Sequence, residues 1–406
     1  MNYTEEYNKL KNAFTSLYYS ELDNIEVHEL DFESQSYSIL PGTTDYCCTL
    51  HNLNFKNEFT FYTEVGSIKD NVYIKDIYVE ENKLFKYHLI KQKGQGKAKK
   101  VTLLFHGFNE KQWDKYLPWA TTICKETGSA VILFPIAFHM QRAPLYWSSK
   151  REMFNLSRER TKRYPNVVNS TLSNVAISMR IHSMPQRFIW SGLQTYYDVI
   201  QLIEDCKAGN NAYIDKNFEF NIFAYSIGGF LAQILKLTNH KNYFDNTKVC
   251  LFCGGSTFNL FSPVSKFIMD GEANASLYSF LVEHFDEFLQ QDKRLHHYIE
   301  ENHPEGKVFH SMLDYHKMQE FREDLLKKYE TQIYAISLKQ DHVIPSYEVA
   351  TTLKGVHRDI NIDVEELDFD FPYSHENPFP ISSKDAKEID KSFDFVFGKV
   401  CNFFNK

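Results

Sequence analysis

The sequence contains no apolar run long enough to cross a membrane, and its first seven residues show neither the basic start nor the apolar stretch of a secretory signal. We therefore predict a cytoplasmic protein without a membrane span. An excess of positive charge is also missing, because 45 Lys and Arg face 53 Asp and Glu, for a formal net charge of -8. This balance argues against nucleic acid or an anionic membrane surface as a general partner.

Signatures of disulfides and metals are equally scarce. Seven cysteines, an odd number in 406 residues, indicate reduced thiols. Cys250 and Cys253 have the spacing of a redox pair, but they lie in an apolar strand pattern that favours buried, inert thiols. The chain has no H-E-x-x-H, so we predict no metal site and no cofactor. One crowded stretch leaves zinc as the alternative, with His296, His297, Glu300 and His303.

The most informative stretch that is present covers residues 220–229, where an apolar run ends at a serine and a helical pattern follows. A serine on a sharp strand-to-helix turn is a nucleophile elbow, which holds the hydroxyl above the end of a sheet. Strand and helix backbones pass closely at such a turn, so small residues are needed two positions either side of Ser226. Ala224 and Gly228 meet that need. The alternative is an ordinary glycine-bearing turn.

Partners for this serine follow it in the order that an elbow hydrolase requires, serine then acid then histidine. Asp341 stands in the loop after a buried strand pattern at 331–337, and His375 stands in a loop after the alternating pattern at 360–369. A histidine base must take the serine proton, and an acid must hold the histidine in the correct tautomer. We predict the catalytic triad Ser226, Asp341 and His375. The alternatives are a turn or cap residue for Asp341 and a surface histidine for His375.

With these residues in place, the chain resembles an α/β-hydrolase. An upstream strand pattern ending in His106-Gly107-Phe108 matches the loop that donates to the oxyanion hole in that superfamily. The resemblance implies that the backbone N–H groups of Phe108 and Ile227 hold the oxyanion, with Gly107 as the turn that lets the backbone approach. The whole chain is also similar to an uncharacterised family within this superfamily, which implies a fold but no substrate.

The rest of the sequence predicts the architecture. From residue 101, strand and helix patterns alternate, which predicts an α/β fold with a mostly parallel central sheet covered by helices on both faces. We divide the chain into an N-terminal extension (1–70) and an α/β-hydrolase domain (71–406). That domain has insertions at 137–188 and 256–328. Both insertions begin at the carboxyl ends of strands, and the second reads as a helical cap over the active site. The alternative is a peripheral insertion that never touches substrate.

Three residues of the first insertion are candidates for substrate binding. His139 lies at its start, near the predicted pocket, and Arg142 and Arg151 belong to a basic stretch in an acidic protein. An anionic part of a substrate would pair with such an arginine. The alternative is a solvated helix face, or ion pairs with Glu152 and Glu159.

Together these patterns predict a serine hydrolase that cleaves an acyl ester or related carbonyl bond of a small molecule through an acyl-enzyme. A thioesterase, peptidase or lyase with the same triad is one alternative, and a membrane-acting lipase is a weaker one. A non-catalytic binding protein on a hydrolase fold is the alternative from another class. The patterns set neither the substrate nor the oligomeric state.

Overall fold

An eight-stranded sheet runs through the middle of the computed structural model, which describes residues 2–16, 22, 24–56, 74–382 and 384–406. Its strand order is β1-β4-β6-β5-β7-β8-β9-β10, and β2 and β3 form a separate hairpin. The strands are β1 (Ile25–Glu33), β2 (Asp45–Cys48), β3 (Leu53–Lys56), β4 (Leu84–Gln92), β5 (Ala98–Phe105), β6 (Ala130–Leu133), β7 (Ile214–Tyr225), β8 (Val249–Phe252), β9 (Ile333–Leu338) and β10 (Asp363–Leu367).

The sheet is mostly parallel, as predicted. The two antiparallel pairings, β1 with β4 and β4 with β6, lie at one edge, and every pairing from β6 through β5 to β10 is parallel. Parallel strands are covered on both faces and therefore read as continuous apolar runs. In β6, β8 and β9 every residue is buried. The expected α/β-hydrolase fold class is confirmed by this sheet and by the helices around it.

Helices cover both faces of the sheet. On one face α1, α3 and α14 pack together, and on the other α6 and α7 lie against β7. The α-helices are α1 (Tyr3–Ser16), α2 (Glu80–Lys83), α3 (Tyr116–Thr127), α4 (Lys150–Arg163), α5 (Val175–Ser183), α6 (Arg187–Lys207), α7 (Ile227–Thr238), α8 (Gly271–Tyr278), α9 (Phe285–Gln291), α10 (Lys293–His296), α11 (Pro304–Ser311), α12 (Gln319–Lys328), α13 (Ser346–Lys354) and α14 (Ala386–Asn405). None of these described helices combines the length and the apolar character needed to cross a bilayer.

The N-terminal extension contributes directly to the central sheet. Strand β1 lies inside it and pairs along its full length with β4, from Ile25 opposite Gln92 to Glu33 opposite Leu84. The alternating apolar pattern at 72–92 predicts antiparallel edge strands, and its second half forms β4. The first two residues of its first half, 72–83, lie outside the described part. The described remainder instead forms a short 3-10 turn and the helix α2 before β4 begins. Asp76 of that turn is buried and forms ion pairs with Arg180 and Arg187, so a tertiary contact overrides the local pattern.

The two insertions are joined to each other. Arg160 on α4 of the first insertion makes a bidentate pair with Asp270, which caps α8 in the second, at 2.5 and 2.8 Å, and both side chains are fully buried. Backbone groups add to this seam, since Gly271 N–H donates to Val168 O at 3.0 Å and Thr171 Oγ1 donates to Lys266 O at 2.6 Å. Buried and backbone hydrogen bonds therefore hold the segments 137–188 and 256–328 together.

The spacing of Cys250 and Cys253 belongs to the core. Cys250 lies in β8 and Cys253 directly follows it, and both are buried free thiols. Burial raises the pKa of each thiol well above its ordinary value, and the nearby Asp341 carboxylate raises the pKa of Cys253 further. A thiol that does not ionise is a poor nucleophile, which agrees with the prediction of inert core cysteines.

Candidate active site

Ser226 occupies the sharp turn between β7 and α7. Its backbone has φ 57° and ψ -124°, a conformation that side-chain-bearing residues rarely adopt. Such strain costs about 1–3 kcal/mol and persists only where surrounding contacts hold it. Here the Ser226 N–H donates to Phe252 O at 3.2 Å, and its carbonyl accepts from Gly229 N–H at 2.8 Å. Strand pairing on one side and the first turn of α7 on the other therefore hold the serine.

The small residues predicted around the serine are required by close backbone contacts. A Cβ atom on Gly228 would lie 2.8 Å from the carbonyl oxygens of both Phe105 and His106. A Cβ atom on Gly254, in the loop after β8, would lie 2.9 Å from the Ser226 carbonyl oxygen. Backbone cannot move aside as a flexible side chain can, so these two glycines let β5, β7 and the loop after β8 approach α7.

Ser226, His375 and Asp341 form one continuous chain of hydrogen bonds. Ser226 Oγ lies 2.7 Å from His375 Nε2, and His375 Nδ1 lies 2.7 Å from Asp341 Oδ2. The second carboxylate oxygen, Asp341 Oδ1, accepts from the N–H groups of Val343 and Ile344 at 2.9 Å each. An ionised carboxylate only accepts, so Nδ1 carries the histidine proton and Nε2 is left to accept from the serine hydroxyl. The three side chains that the sequence predicted thus meet, although they are distant along the chain.

Residues not singled out by the sequence hold the histidine loop. The Tyr225 ring stacks on the His375 ring with 5.5 Å between centroids, and its hydroxyl donates to the His375 carbonyl. Lys115 Nζ lies 4.6 Å from the centre of the Tyr225 ring and donates to Glu376 O at 2.8 Å. Tyr225 directly precedes Ser226. An aromatic residue at this buried position of the turn was therefore a sequence feature that could have predicted the contact with the histidine loop. His342, next to Asp341, is exposed and takes no part.

The His106-Gly107-Phe108 turn lies beside the elbow. Gly107 N–H donates to Tyr116 Oη at 2.9 Å, so this glycine shapes the turn and is not itself a free donor. His106 Nε2 accepts from Ile136 N–H at 2.9 Å, and burial, followed by the nearby His139, holds the pKa of His106 well below its ordinary value. Phe108 and Ile227 line one cavity, and within the described residues neither backbone N–H has a protein acceptor.

The surface of this cavity is almost entirely apolar. Side chains of both insertions reach it, Phe188 at the end of the first and Phe309 on α11 of the second. The polar groups that face it are few, and the apolar majority comes from α6, α7 and the loop after β6. Its lining consists of Phe108, Ile136, His139, Phe188, Ser191, Gly192, Leu193, Thr195, Tyr196, Ile227, Phe230, Leu231, Ile234 and Phe309.

A groove with a more polar lining lies beside His375. It is lined by His375 and Glu376 together with residues of the second insertion, among them Phe261 and Ser265. A second groove runs between Phe108 and Glu376. Ile227, next to Ser226, thus borders the apolar cavity, whereas His375 borders a more polar groove.

His139, one of the three predicted substrate contacts, does lie at the cavity. Its Nδ1 donates to Ala137 O at 2.8 Å, and its Nε2 is buried without a hydrogen-bond partner in the described part of the chain. Burial, opposed by that backbone bond, lowers the pKa of His139 to about 4. At neutral pH this ring is therefore uncharged and presents an acceptor.

Arg142 and Arg151, the other two predicted substrate contacts, do not line this cavity. Arg142 is fully buried, with Nη2 2.7 Å from Asp198 Oδ2 and Nε 3.0 Å from Asn82 Oδ1, and the Phe85 ring lies against its guanidinium. The interpretation of Arg142 as an anion-binding residue is therefore wrong, because its donors are used within the fold. Arg151 is exposed on α4, which agrees with the alternative of a solvated helix face.

Solved structures similar to this chain include two esterases and a peptidase. Carboxyl esterase 2 (TmelEST2) from the mycorrhizal fungus Tuber melanosporum matches 79% of this chain and 82% of its own, with 12% identity and a TM-score of 0.43. An esterase from Pseudomonas putida ECU1011 matches 89% and 78%, with 11% identity and a TM-score of 0.36. The Pyrococcus horikoshii acylaminoacyl peptidase matches 94% of this chain but 43% of its own, with 10% identity and a TM-score of 0.41.

At these identities the likeness assigns no activity to the chain, and no curated protein is significantly similar to it in sequence. The resemblance to an uncharacterised family is confirmed. Residues 1–405 match the profile of a family described as "Family of unknown function (DUF6051)", and the chain belongs to that family.

Proposed function

We propose that this protein is a serine hydrolase that cleaves an ester, or a related carbonyl bond, of a small molecule with an apolar acyl group. The observation that carries the proposal is the buried hydrogen-bonded chain from Ser226 Oγ through His375 to Asp341, set on a strained turn. A serine hydroxyl becomes nucleophilic when a positioned base accepts its proton, and these distances suit that transfer.

The reaction follows from the positions of these groups. His375 Nε2 takes the Ser226 proton while Oγ attacks the carbonyl carbon, and the carbonyl π electrons move onto oxygen. The N–H groups of Phe108 and Ile227 donate to this oxyanion. Asp341 stabilises the histidine cation, which then protonates the leaving alcohol as the carbonyl re-forms. Water, deprotonated by His375, releases the acyl group and regenerates Ser226.

The surfaces on the two sides of Ser226 suggest which part of the substrate goes where. Ile227 and Phe108 border the apolar cavity, so an acyl chain whose carbonyl oxygen meets their N–H groups would extend into it. An apolar lining favours an uncharged hydrocarbon chain, since a carboxylate there would lose its hydration without a partner. The groove beside His375 would take the leaving group. The leaving group would therefore lie outside the apolar cavity, which restricts it less than it restricts the acyl chain.

A fluorophosphonate probe tests the proposal directly. We expect the wild-type protein to react and peptide mass mapping to place the phosphonyl group on Ser226, because only an activated serine attacks such a probe at an appreciable rate. Prior unfolding in urea serves as the control and should abolish the labelling. Folded protein that stays unlabelled, or an adduct on another serine, would contradict the proposal and favour a non-catalytic binding protein.

Substitution of Gly192 tests the assignment of the cavity to the acyl chain. Gly192 lies on α6 at the cavity wall, and apart from its chain neighbours and the adjacent helix backbone no atom lies within 4 Å of the position that a Cβ would take. We expect Gly192→Leu to fill part of the cavity. The ratio of kcat/KM for p-nitrophenyl hexanoate to that for p-nitrophenyl acetate should then fall by about 10–200-fold, the usual cost of misfitted methylene groups.

The matched control is Gly398→Leu, because Gly398 is also in the interior of a long helix, with open space at its Cβ position, but lies exposed on α14. It should leave the ratio unchanged. If both variants change the ratio equally, or if Gly192→Leu impairs both esters to the same extent, the cavity does not hold the acyl chain. Thioesters and peptide amides assayed alongside the esters would define the bond type.

A further inference from the structure

Four side chains with metal-binding atoms meet far from the serine. Cys48 and His51 come from the β2–β3 hairpin, and His297 and His303 come from the second insertion, about 250 residues later. Their ligand atoms all lie within 4.8 Å of one another, and Cys48, His297 and His303 are buried. The approach is close: Cys48 Sγ lies 3.4 Å from His51 Nδ1 and 3.5 Å from His303 Nε2, and His303 Nε2 lies 3.3 Å from His297 Nε2.

The three short separations match edges of a zinc tetrahedron. With Zn–N bonds of 2.0–2.1 Å and a Zn–S bond of 2.3 Å, tetrahedral geometry places two nitrogens about 3.3–3.4 Å apart and nitrogen and sulfur about 3.5–3.6 Å apart. The His297 and His303 rings are also nearly perpendicular, at 83°, as are those of His51 and His303, at 86°. Rings that meet edge to face can direct their nitrogens toward one central point.

A second layer of contacts orients one of the histidines. His303 Nδ1 lies 3.0 Å from Glu305 Oε1, and the same carboxylate oxygen accepts from Tyr197 Oη at 2.5 Å. Glu305 is itself buried. A carboxylate that accepts from one nitrogen of a histidine fixes the tautomer and directs the lone pair of the other nitrogen to a metal. Here that other nitrogen is Nε2, the atom that faces Cys48 and His297.

We propose that Cys48, His51, His297 and His303 bind a structural zinc ion. One thiolate and three imidazoles are donors that suit zinc and do not suit magnesium or calcium, which take oxygen ligands. Four protein ligands complete a tetrahedron and leave no open position for a water or substrate, so the ion would have a structural role. The prediction of no metal site rests on the local cluster of His296, His297, Glu300 and His303 alone. His296 and Glu300 of that cluster are not ligands here, and the distant Cys48 and His51 replace them.

Such an ion would connect parts of the chain that are remote in sequence. His303 directly precedes α11, which packs on α7 behind Ser226 and supplies Phe309 to the cavity wall. The zinc would thus fix the β2–β3 hairpin to the base of α11. This role is independent of the proposed hydrolase activity, since the ion and the serine share no ligand.

The first test uses the full-length wild-type chain. After metal removal with a chelator, we expect one equivalent of Zn²⁺ to bind and to raise the thermal unfolding temperature. One equivalent of Co²⁺ should give the d–d bands of a tetrahedral site and a thiolate-to-cobalt charge-transfer band. No stoichiometric binding, or cobalt spectra of an octahedral site without the thiolate band, would overturn the proposal. Tighter binding of copper than of zinc with a non-tetrahedral spectrum would overturn the assignment to zinc.

The variants assign the ligands with a neighbouring control. Cys48→Ser should remove the charge-transfer band, whereas Cys47→Ser should retain it, because Cys47 is exposed on the adjacent position of β2. Glu305→Gln should weaken zinc binding by about 10–100-fold, the usual cost of losing a partner outside the ligand set. An unchanged band in Cys48→Ser would overturn the proposal. If Cys48→Ser does not fold, Glu305→Gln and the wild-type cobalt spectrum decide the question.

Discussion

Replacement of Ser226 by alanine is expected to lower kcat for hydrolysis of p-nitrophenyl butyrate by roughly 10⁶-fold, the scale found when a triad nucleophile is removed. The residual rate would come from the cavity and the backbone donors of Phe108 and Ile227, which remain in place. The variant should fold normally, because among the described residues the hydroxyl bonds only to His375 Nε2, and the elbow is held by backbone hydrogen bonds. Initial rates of the purified variant at saturating substrate, with circular dichroism as the check on folding, measure this effect.

Ser337→Ala is the matched control for that experiment. Ser337 is also a buried serine of the central sheet, in β9, but its hydroxyl has no hydrogen-bond partner in the described part of the chain. It should keep wild-type activity. An active Ser226→Ala variant, or equal losses in the two variants, would rule out Ser226 as the nucleophile.

A second large effect is expected for Asp341→Asn, with kcat lowered by about 10⁴-fold through the wrong histidine tautomer. The structure explains why an amide cannot substitute here. The N–H groups of Val343 and Ile344 donate to Oδ1, so the asparagine oxygen would occupy that position and its NH₂ group would face His375 Nδ1. An NH₂ donor forces Nδ1 to accept, which places the ring proton on Nε2. A protonated Nε2 cannot take the proton of Ser226.

The control is Asp370→Asn, which makes the same change of charge at an exposed aspartate shortly before His375. We expect its kcat to stay within about twofold of wild type, since exposed charges contribute little to a buried site. An Asp341→Asn variant that keeps more than a tenth of the wild-type kcat, with an intact fold, would show that His375 does not depend on this carboxylate.

Much of the candidate site could be predicted from local patterns. Ser226, Asp341 and His375 each follow a strand pattern, and the carboxyl ends of parallel strands meet at one edge of a sheet, so order along the chain predicts proximity in space. The small residues around Ser226 add an independent requirement of backbone packing. The prediction of the fold rests on the same alternation of apolar strands and amphipathic helices, which depends on short stretches of sequence.

What could not be predicted depends on contacts between distant residues. Arg142 is close in sequence to residues that line the cavity, but its side chain binds Asp198 and Asn82 instead. No local sequence pattern indicates that these three residues meet. The same holds for Cys48, because two of the three histidines beside it, His297 and His303, are about 250 residues away. Periodicity identifies elements and their buried faces. It does not identify which charged or metal-binding side chains from different elements will meet.

The buried pair between Arg160 and Asp270 has a consequence for recombining this protein with its relatives. Exchange of residues 137–188 alone, or of 256–328 alone, for a segment that lacks the matching Arg or Asp would leave one of these charges buried without its partner. Such an uncompensated charge typically costs about 3–5 kcal/mol, a large part of the stability of a folded domain. The two segments therefore constitute one exchangeable module, and a chimera that alters substrate choice by replacing them must transfer both at once.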